Sequence, residues 1–177
     1  MSCIMTYSGE FFDPCEPDPK LIKIEDIAHA LSLLCRSGGH FPSFYSVGQH
    51  CISCADEAAA RKYSDDVQLA CLLHDASEAY IADITRPVKY RLTQYLDFER
   101  ALQNEIYEKY LGFVPNSEMQ KLISNVDDSM LYHEFMHFMN TPLFEKEPKI
   151  YTKPNYEFNS FNEIETEFLG KYYSLIS

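Results

Sequence analysis

The chain has 177 residues, a formal net charge of −12 and a hydrophobic fraction of 46%, which includes 13 tyrosines and 12 phenylalanines. This apolar content excludes a disordered chain and suffices for one folded domain over residues 1–177. The acidic charge argues against a protein that coats a nucleic acid polymer, because surfaces that follow a phosphate backbone are basic.

The sequence also gives expectations about the cellular compartment. It contains no apolar stretch as long as a membrane span, and its N-terminus lacks the basic and apolar regions of a secretion signal. We therefore expect a cytoplasmic protein without a membrane partner, whose six cysteines are thiols. Cys51 and Cys54 have the spacing of half a zinc ribbon, but because there is no second pair we interpret them as small core residues.

Apolar residues recur at helical spacing in six segments, which are separated by glycine, proline and capping residues. The predicted helices cover residues 25–36, 47–63, 67–79, 94–111, 117–140 and 161–175. Turn-forming residues predict an extended arm over residues 1–23 and a surface loop over residues 141–159. No alternating strand pattern is longer than a few residues, so the sequence predicts an all-α, single-domain bundle of about six or more helices.

The third predicted helix contains the densest group of ionisable residues. Its apolar run leads directly into His74 and Asp75, and Glu78 follows one helical turn after the histidine. If the helix continues through these residues, all three can face one pocket. Burial makes unpaired ionisable groups expensive, and a divalent metal ion would satisfy an imidazole and a carboxylate together. Taken alone, the same residues are also compatible with a buried His–Asp hydrogen bond that only stabilises the helix.

His50, the His74-Asp75 pair and Asp127 form an H…HD…D series on three predicted helices. With its neighbouring motifs, this series resembles the HD-domain metal-dependent phosphohydrolase superfamily, and most closely its 5′-deoxynucleotidase-like branch with phage and bacterial relatives. The stretches that carry the resemblance cover residues 27–32, 35–40, 44–50, 72–78, 83–89 and 127–134. Two residues depart from the family pattern: Ser37 stands where a bulky aromatic is frequent, and Gly48 where alanine is usual.

The resemblance implies that a divalent cation binds between the predicted helices. The implied metal ligands are His50, His74, Asp75 and Asp127. Zinc, manganese, cobalt, iron and nickel all suit such a mixed nitrogen and oxygen site. Asp127 is preferred over Asp128 because Glu134 follows it by two helical turns, as in the family pattern.

The resemblance also implies roles for residues around the metal. Glu78 and Asp83 would orient or activate the attacking water or the leaving group. The implied substrate contacts are Arg36, His40, Pro87 and Lys89. Arg36 and Lys89 would hold phosphate oxygens. Outside the family context, Arg36 is compatible with a cation that stabilises the C-terminal end of a helix, and Lys89 with a residue on a solvated face.

The implied activity is release of phosphate from (deoxy)nucleoside 5′-monophosphates, with a nucleotide or another small phosphate ester as the partner. A nucleoside triphosphate triphosphohydrolase at the same site is the alternative, because both activities use nearly the same residues. A catalytically silent binding module of this fold is a further alternative. The aromatic-rich loop and helices also leave a homo-oligomer open.

A competing motif lies at His133–His137, whose sequence HEFMH formally matches the HExxH pattern of zinc metalloproteases. Such a protease needs a third ligand downstream, but no histidine follows His137. On a helix, His133 and His137 also face away from the side that carries Asp127 and Glu134. We therefore expect them to be surface or packing residues.

Overall fold

The computed structural model describes residues 3–177, so the first two positions of the predicted arm lie outside the described residues. The helices in this part of the chain are α1 (Ile24–Leu33), α2 (Val47–Ala60), α3 (Asp65–Leu72), α4 (Glu78–Ile81), α5 (Arg86–Lys89), α6 (Thr93–Leu111), α7 (Ser117–Met139) and α8 (Phe161–Leu175). A 3₁₀ turn covers Arg36–Gly39. The strands within residues 3–177 form one antiparallel hairpin of β1 (Ile4–Met5) and β2 (Phe11–Phe12). The all-α prediction is confirmed.

Helix α2 lies at the centre of the fold and contacts α1, α3, α7 and α8. Its residues from Val47 to Ala55 are all buried, which a helix achieves only when neighbours cover it on every side. A side chain at Gly48 would place its Cβ 3.1 Å from the Leu31 carbonyl carbon and 3.1 Å from Ile164 Cγ2. Glycine therefore permits the close approach of α1 and α8 to the first turn of α2, and this accounts for its presence where alanine is usual.

The helix ends follow capping chemistry that the sequence carries. The Ser46 hydroxyl accepts a hydrogen bond from the Gln49 amide at 3.0 Å, as its position before α2 predicted. Asn116 caps α7 in the same manner, and Ser160 forms a reciprocal capping box with Glu163 at the start of α8. These caps fix where the long helices begin, and therefore where the side chains on their first turns lie within the bundle.

The prediction of one continuous helix over residues 67–79 is wrong. Helix α3 ends at Leu72, and residues 73–77 form consecutive turns before the single turn of α4. Two side chains take carbonyls that a continuing helix would need: His74 Nδ1 lies 2.7 Å from the Cys71 oxygen, and the Gln103 amide donates to the Leu73 oxygen at 2.8 Å. The break lets the adjacent His74 and Asp75 both turn inward, which neighbouring residues of a regular helix cannot do.

Two segments without long helices pack over this bundle. In the N-terminal arm Phe12 and Ile22 are buried, and the Asp26 carboxylate accepts hydrogen bonds from the amide and hydroxyl of Ser8. Residues 141–159 carry no helix or strand and are held to α2 by the buried Glu57. None of the helices within residues 3–177 combines the length and apolar character that crossing a membrane requires.

Candidate metal centre

Two histidines approach each other from different elements, and each is oriented through its Nδ1 atom. His50, on the first turn of α2, is fully buried, and its Nδ1 lies 2.5 Å from a Glu134 oxygen on α7. His74, in the turn after α3, has its Nδ1 2.7 Å from the Cys71 carbonyl oxygen. Because both Nδ1 partners are acceptors, both Nδ1 atoms carry the proton in the neutral rings. Each Nε2 therefore presents a lone pair, the arrangement found for metal-binding histidines.

The two Nε2 atoms face two carboxylates across a small space. They lie 3.3 Å from each other. His50 Nε2 is 3.2 Å from Asp127 Oδ1 and 4.0 Å from Asp75 Oδ2, and His74 Nε2 is 3.8 Å and 3.3 Å from the same two oxygens. Ligands bound tetrahedrally to a metal at about 2.1 Å lie roughly 3.4 Å apart. The observed separations therefore match those of ligand atoms around one metal ion.

The charge at this centre also favours a cation. With both imidazoles neutral, four acceptor atoms converge with no donor among them, which is costly in a buried position. Burial alone would lower the pKa of both His50 and His74, but the surrounding anionic groups outweigh burial and raise both pKa values well above the ordinary one. The imidazoles in turn hold the pKa of Asp127 well below its usual range, against the effect of burial. The residues therefore fit a divalent ion, whose charge would replace that of the two protons.

Asp127 and Asp128 occupy different environments, as the spacing to Glu134 predicted. Asp127 points into the centre, whereas Asp128 is half-exposed and pairs with Arg86 at 2.9 Å. Arg86 also donates to the second oxygen of Asp127 at 2.8 Å. The guanidinium thus holds the outer edge of Asp127 while the inner oxygen stays directed at the histidines.

Two cysteines of α2 adjoin the histidines, and the sequence interpretation did not foresee this. Cys54 Sγ lies 3.4 Å from Nε2 and 4.0 Å from Nδ1 of His50. The Cys51 sulfur, a ring nitrogen of His74 and a carboxylate oxygen of Asp75 lie within 4.8 Å of one another. A sulfur at similar distances from both ring nitrogens lies beside the ring and off the Nε2 lone-pair axis. Cys54 therefore packs against His50, in keeping with a core role, and the spacing of one helical turn from His50 was the signal for this contact.

Arg36 and Glu134 form a second layer around the ligands. The buried Arg36 guanidinium donates to Asp75 Oδ2 at 3.4 Å and to Glu134 Oε2 at 3.3 Å. Glu134 is 1% exposed and bridges Arg36 to His50 Nδ1. Arg36 thus orients ligands, a role that its expected function as a phosphate contact does not include. Its Nε is buried without a hydrogen-bond partner among residues 3–177.

A cavity of about 490 Å³ opens beside Asp75 and Asp127. Its cationic groups are Arg36, Arg86 and Lys89. Its apolar wall is formed by Phe41, Leu131, Phe135, Leu143 and Phe144. This volume lies within the range of small-molecule sites, which combine an apolar lining with a few convergent polar groups.

Glu78 and Asp83 line this cavity, as the resemblance implied. Glu78 is 3% exposed, and its pKa is raised well above its usual range by burial and by repulsion from Asp75 and Asp83. One Glu78 oxygen accepts from Lys89 Nζ at 3.2 Å, while the other has no partner among the described residues. Burial likewise raises the pKa of Asp83. Both carboxyl groups can therefore hold and release a proton near the cavity.

The expected substrate contacts divide into two groups. Arg36, Pro87 and Lys89 line the cavity, although Lys89 is also bound to Glu99 at 2.7 Å. His40 is exposed and is not among the residues that form the cavity wall. It follows a turn with left-handed backbone at Gly38 and Gly39. The structure therefore does not bring His40 to the site.

The histidines of the HExxH motif lie outside the centre. His133 Nε2 is 2.8 Å from the Pro148 carbonyl oxygen, and the His137 ring stacks on Tyr156 at a centroid distance of 4.4 Å. Only Glu134 of this motif points at the other candidate ligands, where it contacts His50. The motif therefore does not form a metal site of the protease type in this arrangement.

Comparisons with known proteins give similarity without an activity. No family model matches the chain. It is 39% identical over 110 residues to the uncharacterized protein YfdR of Escherichia coli, an alignment that covers 62% of this chain and 59% of that protein. It is 33% identical over 109 residues to an uncharacterized protein of Rhodobacter capsulatus, covering 58% and 55% of the two chains. The alignments thus span less than two thirds of either relative.

Proposed function

We propose that the protein is a metal-dependent phosphohydrolase of the HD type that releases phosphate from (deoxy)nucleoside 5′-monophosphates. The observation that carries the proposal is a convergence of four acceptor atoms beside a cavity with cationic and aromatic walls. Each imidazole Nε2 lies 3.2 to 4.0 Å from the other Nε2 and from one oxygen of each aspartate. The H…HD…D series and its flanking motifs support the same reading. With neutral imidazoles, two lone pairs directed at two carboxylates are unfavourable unless a cation lies between them.

A divalent ion held by the two histidines and two aspartates would neutralise phosphate charge and lower the pKa of a water molecule. The residues on the cavity side supply the rest of the chemistry. Arg36, Arg86 and Lys89 line the cavity and supply positive charge for the phosphate oxygens. Together they bring an anion against the aspartates, which would otherwise repel it.

Proton transfer falls to Glu78 and Asp83. A general acid must be protonated before the step and able to lose its proton during it, so a carboxyl group with a raised pKa suits that role. Glu78 meets this condition because burial and the adjacent carboxylates raise its pKa, and Lys89 holds one of its oxygens in place. In this scheme, Glu78 or Asp83 donates a proton to the leaving nucleoside oxygen, and the aromatic wall packs against the nucleoside.

A triphosphohydrolase is the second candidate, and one observation favours it. A further cavity of about 350 Å³ lies on the other side of the same centre and shares Asp75, Lys89 and Asp127 with the first. It also contains Arg100 and Gln103. A substrate with three phosphates could extend past the ligands into this space, whereas a monophosphate does not need it.

The test is a panel of deoxy- and ribonucleoside mono- and triphosphates, assayed with each divalent ion in turn and with a chelator. The proposal expects inorganic phosphate from monophosphates, and loss of activity with the chelator. Release of triphosphate would favour the second candidate. A sample that retains metal but hydrolyses no member of the panel would contradict both and indicate a silent binding module.

A further inference from the structure

A second large cavity is remote from the candidate metal centre. It has a volume of about 790 Å³ and shares no lining residue with the cavity beside Asp75. Its wall includes Asn125 and Ser129 of α7, which lie one turn apart on one face of the helix. Asp127 lies between them in sequence and therefore on the opposite face. Helix α7 thus separates the two cavities.

This cavity, called the basic cavity below, concentrates positive charge in an acidic protein. Four of the chain's 15 lysines and arginines line it: Arg61, Lys62, Lys146 and Lys149. The single carboxylate in its wall is Glu147. Within residues 3–177, Lys62 and Lys146 form no ion pair, so their charge is not neutralised by the protein. In a chain with a net charge of −12, such a local excess favours an anionic ligand.

The floor of the basic cavity is rigidly built. Arg61 donates from Nε to Glu57 at 2.8 Å, and from its terminal nitrogens to Asn125, Ser129 and the Lys149 carbonyl oxygen. These bonds join α2, α7 and the segment of residues 146–151 into one surface. The lysines therefore extend from a fixed frame, and an anion would not have to order the loop that carries Lys146 and Lys149.

Aromatic rings lie beside the cations. Tyr63 and Tyr151 both line the basic cavity, and Lys149 Nζ lies 4.3 Å from the centre of the Tyr151 ring. Lys62 adopts a left-handed backbone conformation with φ of 63°, which glycine or asparagine would adopt with less strain. Lys62 also follows directly on the C-cap of α2, where a cation interacts favourably with the helix dipole.

We propose that the basic cavity binds a nucleoside triphosphate, at a site separate from the metal centre. The lysines would hold the phosphate chain, and the tyrosines offer flat faces for the base. The volume is sufficient, since sites for small molecules span about 300 to 1,000 Å³. Binding at this site does not depend on hydrolysis at the other face of α7.

The experiment is calorimetric titration of the whole chain, in the presence of a chelator, with a non-hydrolysable deoxynucleoside triphosphate. The test variant carries Lys62→Ala, Lys146→Ala and Lys149→Ala. We expect the test variant to lose one class of binding site or to bind there at least about tenfold more weakly, as loss of about 1.4 kcal/mol would give. Inorganic triphosphate should compete less well than the nucleotide.

A matched variant with Lys20→Ala, Lys121→Ala and Lys153→Ala removes the same charge from exposed positions elsewhere. Unchanged stoichiometry and affinity in the test variant, or equal weakening in the matched variant, would overturn the proposal. Equal binding of inorganic triphosphate would overturn the nucleotide assignment. Phosphate release at the metal centre is measured in parallel, and because it uses none of these lysines, its failure would contradict only the proposed enzymatic function.

Discussion

Two buried polar clusters of this protein have opposite balances of donors and acceptors. Around Glu57, one carboxylate accepts hydrogen bonds from Arg61, from the amides of Tyr151 and Thr152, and from the Thr152 hydroxyl. Every partner in this cluster is a donor, and the cluster is complete without a ligand. Its effect is to tie residues 141–159 to α2.

The candidate metal centre is built in the opposite way. Its four inner atoms are two imidazole Nε2 lone pairs and two carboxylate oxygens. Arg36 donates to the inner oxygen of Asp75 at 3.4 Å, and Arg86 donates to the outer oxygen of Asp127 at 2.8 Å. Such a set is unfavourable unless a cation lies within it. Both clusters are buried and charged, and they differ in the direction of their hydrogen bonds.

The largest expected effect comes from removing the negative charge of one inner carboxylate. Asp127→Asn replaces a carboxylate oxygen with a neutral ligand, so we expect loss of bound metal and a fall in phosphate release by a factor on the order of 10³ or more, since a metal supplies several kcal/mol of transition-state stabilisation. Metal content after gel filtration and the initial rate measure the two effects.

Asp128→Asn is the matched control, because Asp128 is adjacent, carries the same charge and contacts the same Arg86, but faces outward. We expect it to keep its metal and most of its activity. Equal metal loss in both variants would show that Asp127 acts through general charge and not as a ligand.

Sequence patterns predicted the long helices because their caps and apolar spacing are local properties. Ser46 and Asn116 begin α2 and α7 through hydrogen bonds within three residues. The break after Leu72 was not predictable in this way, since it depends on Gln103 from α6, a partner 30 residues away. Local periodicity contains no information about such a tertiary contact.

The candidate site shows the same division. Spacing on α7 placed Asp127 and Glu134 on one face, and the structure has both directed at His50. The aromatic wall could not be predicted, because Phe144 comes from a segment without periodicity. The exposure of His40 was also not predicted, since the pattern of the loop does not show which of its side chains face the solvent.

A smaller effect is expected at the complete cluster. Burial opposes ionisation of Glu57, but hydrogen bonds from Arg61, Tyr151 and Thr152 outweigh it and hold the pKa below the ordinary 4.5. Glu57→Gln should lower the free energy of unfolding at neutral pH by about 1 to 3 kcal/mol, the usual cost of leaving buried partners poorly satisfied. Denaturant unfolding monitored by circular dichroism measures this loss.

The pH dependence of that loss follows from the direction of the shift. A carboxyl group with a lowered folded pKa stabilises the protein above its unfolded pKa, and the stabilisation disappears as the pH falls through the folded value. The difference between wild type and Glu57→Gln should therefore be constant above about pH 5 and shrink below 4.5. Asp56→Asn, which removes a half-exposed partner of Lys171, is the control and should change stability by less than about 1 kcal/mol. A pH-independent difference at Glu57 would contradict the assignment.

The smallest effect is expected from the two histidines that match the protease motif. His133 contacts the Pro148 carbonyl oxygen and His137 stacks on Tyr156, and neither lies in the clusters within residues 3–177 that could hold a metal. The double variant His133→Ala, His137→Ala should keep its metal and its phosphate release within about twofold, a change of roughly 0.4 kcal/mol. His74→Ala is the positive control and should lose its metal. Loss of metal in the double variant would indicate that the ion binds on the other face of α7. The four converging acceptors would then be a structural cluster that tolerates protonated imidazoles.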